Sequence, residues 1–104
     1  MKLRWMPQAL RDIDAIRRYI ARDNPAAARE WIAKLQWRAR AAATAPLAGR
    51  VVPEADLPEV REVFVRTYRI VYRVRDDELQ VLTVFEGHRQ LQMDVVSGGA
   101  GSKG

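Results

Sequence analysis

The chain has 104 residues, 48% hydrophobic and 30% charged, with no cysteine, one histidine and a net charge of +5. That length bounds it to one domain with room for a two-layer core, and the composition excludes wholesale disorder, a disulfide framework, thiolate chemistry and a structural zinc site. No apolar run approaches the roughly 20 residues of a membrane span, and the first residues lack the apolar core of a signal peptide, so a cytoplasmic protein with no membrane partner and no cofactor or metal is expected.

Leu3 and Trp5 alternate with Lys2, Arg4 and Met6 ahead of Pro7, the pattern of a short, half-buried edge strand. From Gln8 the apolar spacing changes to Ala9, Ile13, Ile16 and Ile20, one stripe of a helix that Leu10 widens. Asp12 and Asp14 near its start and Arg17, Arg18 and Arg22 near its end suit the helix dipole. Asp23-Asn24-Pro25 stops this helix and starts another, because Asn24 can cap and Pro25 has the preset φ of a first helical residue. The second helix is expected to run to about Ala45 with a seam of Ala28, Trp31, Ile32, Leu35, Ala39 and Ala42, antiparallel to the first. Trp37 lies about 200° round from Leu35 and should be partly exposed. Two readings stand for it: folding back over the Leu47 loop or Arg38 and Arg40, or contact with a partner.

Pro46, Gly49, Pro53 and Pro58 punctuate a loop in which Arg50-Val51-Val52 forms a short strand. Three strand-like runs follow, Val60 to Arg66, Tyr68 to Arg75 and Leu79 to Glu86, with tight reversals at Thr67 and Asp76-Asp77, so an antiparallel meander is expected. The near-continuous apolar run of the last suits a strand covered on both faces. The fold class is therefore α+β, an N-terminal strand and helical hairpin followed by the meander, with the helices on one face of the sheet and the other face left open. Residues 1–96 make up the domain, and 97–104, rich in Gly and Ser, read as a flexible tail.

Fifteen of the 18 cations are arginine, and residues 1–52 carry 11 cations against 4 carboxylates, which favours an acidic partner or a nucleic acid without choosing between them. Along Tyr68 to Val74, Tyr68, Ile70, Tyr72 and Val74 fall on one face, while Arg69, Val71 and Arg73 fall on the other. Gly87-His88-Arg89 follows the last strand, so Arg69, Arg73, His88 and Arg89 can converge on a basic patch beside Glu86. His88 reads either as a surface histidine with a satisfied hydrogen bond or as an acid or base, and the arginines read either as solvated charge or as a binding surface.

The order of strand, hairpin with Asp23-Asn24-Pro25, Pro46-x-x-Gly49-Arg50, Arg61, Tyr68-Arg69-Ile70-Val71-Tyr72-Arg73-Val74 and Val84-Phe85-Glu86-Gly87-His88-Arg89 resembles the RelE/ParE superfamily of bacterial toxins. The resemblance implies a two-layer domain with the first strand beside the last. RelE-like members cut messenger RNA on the ribosome, and Arg69 and Arg89 match two arginines of that site, with Glu86 and His88 as further candidates. The lysine pair expected there is replaced by Val60-Arg61-Glu62, however, and the late tyrosine is missing near Val95. ParE-like members, similar to this chain in the hairpin, in Arg61 and in the Tyr-Arg-Ile-x-Tyr-Arg-Val strand, act without enzymatic chemistry by poisoning DNA gyrase. That branch implies a toxin neutralised by a cognate antitoxin, a ribbon-helix-helix protein whose acidic and apolar tail folds against the basic hairpin and sheet. Antitoxin contacts are then expected at Arg17, Arg18, Trp31 and Arg38, and target contacts at Arg61, Arg69, Arg73, His88, Arg89 and Trp37. A ribosome-dependent ribonuclease and a non-toxic RNA-binding or interaction module are the alternatives, and direct nucleic-acid binding stays undecided.

Overall fold

The structure, a computed structural model, describes residues 1–87 and 91–99, the last three by their backbone alone. Strand β1 (Lys2–Trp5) leads directly into helix α1 (Pro7–Ala21), where Pro7 starts the helix without wasting a backbone donor. Ala9 is wholly buried and Ile13 and Ile16 pack against the same core, as the spacing predicts. Leu10 departs from the expected stripe and is 55% exposed. It sits about 100° from Ala9, and the contact with the sheet is too narrow to reach it. Helix α2 (Pro25–Thr44) is capped by Asn24, whose Oδ1 accepts from the Ala27 amide at 3.0 Å. Its inner face buries Ala28, Leu35, Ala39, Ala42 and Ala43, mostly small side chains that let the helix sit close on the strands.

Five strands form one sheet in the order β1-β5-β4-β3-β2, with β2 at Arg50–Val51, β3 at Val60–Val65, β4 at Tyr68–Arg75 and β5 at Glu78–Glu86. β1 runs parallel to β5 at one edge, so the first strand lies beside the last, and the other neighbours are antiparallel. Both hairpins of the meander close through two residues, with Arg66 (φ 53°) and Asp76 (φ 55°) in the left-handed region. A register shift between Val71 and Tyr72 leaves Leu82 as the extra residue of β5. The shift resets the alternation, so that Leu79 and Val81 face the helices before it and Val84 faces them after it.

The sheet carries two cores. Ile70, Tyr72, Leu79, Val81 and Val84 meet α1 and α2 on the expected face. The opposite face, expected to be open, is covered: Val60, Val71 and Leu82 pack with Val52 and with Leu91 and Val96 from the C-terminal segment and helix α3 (Met93–Gly99). Val71 and Leu82 explain the closure, since leaving both in water would forfeit about 1.5–3 kcal/mol of burial apiece. Residues 97–99, read from composition as tail, continue α3.

Candidate functional site

Strand β4 presents Arg69 and Arg73 on the second face, as the alternation predicts, but in a buried setting. Arg69 is 5% exposed and Arg73 is 3% exposed. Arg69 Nε donates to Glu62 Oε1 at 2.6 Å, while its two terminal nitrogens donate in parallel to Glu54 Oε1 and Oε2, each at 3.0 Å. Glu62, itself 1% exposed, also accepts from Arg50 Nε at 2.7 Å. The Arg69 guanidinium stacks over Phe85, with its carbon 5.0 Å from the ring centre. Hydrogen bonding to Glu54 raises the pKa of Arg69 against the opposing effect of burial, and the same bond lowers that of Glu54 to about 2. Arg73 binds Gln80 Oε1 at 2.9 Å and the Val96 carbonyl at 3.2 Å, and burial lowers its pKa. These two arginines therefore hold the loop and α3 on the sheet. The expectation that they stay available on an uncovered face is corrected by that cover, because a buried guanidinium must be paired.

Arg61 is also engaged by its own chain. Its Nε donates to the Pro58 carbonyl at 2.9 Å and its NH1 to the Leu47 and Gly49 carbonyls, each at 3.0 Å, clamping the loops at one end of β3. Glu86 accepts from the Thr67 hydroxyl at 2.8 Å across the β3–β4 turn. His88 and Arg89 lie outside the described residues. Trp37 is 64% exposed, as expected from its angle on α2. Arg17 and Arg18 are exposed and both pair with Asp14, at 2.5 and 3.0 Å, which lowers the pKa of Asp14. Trp31 packs edge-on against Tyr68 with centroids 5.6 Å apart, under Lys34 Nζ at 5.5 Å. Arg38 follows Trp31 by about two turns of α2, and its charge is felt at Tyr72. Burial raises the Tyr72 pKa, opposed by a backbone hydrogen bond at Gly49 and by the charges of Arg61 and Arg38.

A surface cleft of about 420 Å³ remains between α1 and the ends of β4 and β5. Ala15, Ile16, Tyr19, Tyr68 and Phe85 give it an aromatic and aliphatic wall, with Asp12 and Glu86 at its rim. Both carboxylates are turned to their own chain, Glu86 to Thr67 and Asp12 to the Thr83 hydroxyl and the Val84 amide on the stretch of β5 beyond the end of β1. Tyr19 is 69% exposed, and the Tyr68 pKa is raised by burial and by the nearby Glu86 carboxylate. Amphipathic rings beside an exposed Arg17-Arg18 pair suit binding rather than proton transfer.

Residues 3–91 match the family described as the ParE toxin of the type II toxin–antitoxin system parDE. The chain belongs to the ParE toxin family. A curated relative, the candidate toxin Y4kP of Sinorhizobium fredii (strain NBRC 101917 / NGR234), is 34% identical over 91 residues, covering 86% of this chain and 91% of that protein. A solved structure described as the chromosomal ParDE TA system from P. aeruginosa superimposes with a TM-score of 0.69 at 24% identity, covering 83% of this chain and 95% of that one, and so shares the fold.

In this ParE-family toxin the sequence reading missed Glu54, Glu62, Asp12 and Tyr19. Glu62 had a legible signal: it falls between Val60 and Phe64 on the same face as Arg69, where only a cation makes a carboxylate tolerable. Glu54 had none, since it sits in an irregular loop 15 residues from its partner.

Proposed function

We propose that this ParE-family toxin acts in the cytoplasm without enzymatic chemistry, by binding DNA gyrase and blocking replication, and that a cognate antitoxin neutralises it. The observation that carries the non-enzymatic reading is the state of Arg69. In the resting chain its three nitrogens are committed to Glu62 and Glu54, so the guanidinium is not preorganised around the developing charge of a phosphodiester undergoing cleavage. Phosphoryl chemistry relies on charges aimed at the developing negative oxygens, and their loss costs orders of magnitude in rate.

The antitoxin's acidic and apolar tail docks along the cleft of α1, β4 and β5. Its apolar anchors meet Ile16, Tyr19, Tyr68 and Trp31, and its carboxylates exchange with Asp14 for Arg17 and Arg18. Trp37, on the far face of α2, is left for the target.

Purified protein added to a gyrase supercoiling reaction tests this reading beside a ribosome-bound message. Supercoiling should be lost, antitoxin should restore it, and the message should remain intact. A cut message with undisturbed supercoiling would overturn it.

A further inference from the structure

Three donors from other described residues converge on the Glu54 carboxylate. Arg69 NH1 and NH2 approach as a fork at 3.0 Å each, and the Leu91 amide donates to Oε2 at 3.2 Å. Oε2 thus accepts twice and Oε1 once from these donors. A fork of guanidinium donors joined by a backbone N–H is the arrangement proteins use for oxyanions, and a tetrahedral anion would give each donor an oxygen of its own. Glu54 itself is no part of the sheet. It belongs to the turn after Val52, and its side chain keeps 16% exposure, whereas Glu62 on the other side of the guanidinium has none. With Glu54 swung outward, Arg50, Glu62 and Arg69 would leave one net positive charge beside the two forked donors.

We propose that Glu54 fills, in the resting chain, a binding site for a phosphate-class oxyanion, and that the Glu54 turn is an autoinhibitory contact which such an anion displaces. Arg69 is the anchor, Leu91 N supplies the third donor and Phe85 holds the guanidinium plane. The site lies on the α3 side of the sheet and meets the cleft assigned to the antitoxin only at Phe85. It concerns binding of an anion and not its cleavage, and so goes beyond the non-enzymatic reading, which rests on the resting chain. Glu54 wins in the resting state because it is tethered, so an external anion competes against a high local concentration of carboxylate.

Glu54→Ala tests the inference in the full chain, with inorganic phosphate as the probe and chloride at matched ionic strength as the reference. The variant's melting temperature should rise saturably with phosphate, and its dissociation constant should be at least about tenfold lower than that of the unaltered chain. The Leu91 amide and Arg69 Nε–H resonances should shift with the same dependence on concentration. If Glu54→Ala does not fold, Glu54→Ser is read by the same measurements. A short single-stranded oligonucleotide then separates the sources: competition with phosphate assigns a phosphodiester and indifference assigns the free ion, and both support the site. No saturable response beyond that of chloride, shifts confined to other residues, or equal affinity in the unaltered chain would overturn it.

Discussion

Glu62 and Arg69 meet diagonally across the β3–β4 pair with Oε1 and Nε 2.6 Å apart, and neither side chain is more than 6% exposed. Removing the anion leaves Arg69 short of one partner in a low-dielectric setting and frees Arg50 as well. Glu62→Ala should therefore cost about 1–3 kcal/mol of stability, the penalty for leaving a buried donor unmet while Glu54 still pairs the charge. Urea unfolding followed by circular dichroism measures it, and a loss below about 1 kcal/mol would show that water replaces the carboxylate.

Glu54 gives the chain an acid-sensitive fastening. Hydrogen bonding from Arg69 depresses its folded pKa from 4.5 to about 2. A depressed carboxylate pKa means the unfolded state binds the proton more readily, so its stabilising contribution is complete above the unfolded value. It is lost as pH falls from about 4.5 towards 2. Thermal melts between those limits should show a decline in Glu54-containing protein that Glu54→Gln reduces.

Gly49 stands where a β-carbon would collide with the Tyr72 hydroxyl and lie 2.9 Å from the Glu62 carbonyl. Tyr72 is wholly buried, and its hydroxyl donates to the Pro46 carbonyl at 2.5 Å. Gly49→Ala should break that bond or push the loop outward, at a cost of about 1–3 kcal/mol. An unchanged denaturation midpoint would show that the loop shifts freely.

Tyr19 and Trp37, 69% and 64% exposed, are separable surface probes. Alanine at either position should change stability by no more than about 0.5 kcal/mol. Tyr19→Ala should weaken antitoxin binding by about tenfold or more, as loss of an aromatic anchor does. Trp37→Ala should leave that affinity alone and reduce growth inhibition. Titration calorimetry with the antitoxin and inducible expression read the two effects, and the opposite assignment would move the target surface to the cleft.

Local chemistry alone was enough for the strand, the hairpin and the meander. Asn24 and Pro25 start α2 through a cap and a preset φ, and the alternation from Tyr68 to Val74 sorts the side chains to the faces they occupy. Such signals act within a few residues and are written in adjacent letters. The bulge at Leu82 was not legible, because it depends on how β4 and β5 are matched rather than on either strand.

The candidate site was the less legible part. Arg69 and Arg73 were found by their spacing, but their reading as an available basic face was reversed by Val52, Leu91 and Val96, which close over Val71 and Leu82. Charge pattern shows which face a guanidinium takes, and burial is set by whatever apolar segments elsewhere in the chain need the same face. The one-dimensional record thus determined the first strand, the helical hairpin and the meander, their order and the ParE-like resemblance, but not α3, whose residues 97–99 read as tail. Only the tertiary structure decided that Glu54 and Glu62 neutralise Arg69 and that Tyr19, Tyr68 and Phe85 share a cleft. Those pairings join residues far apart in the chain, and the free energy that selects them comes from excluding water from a shared surface.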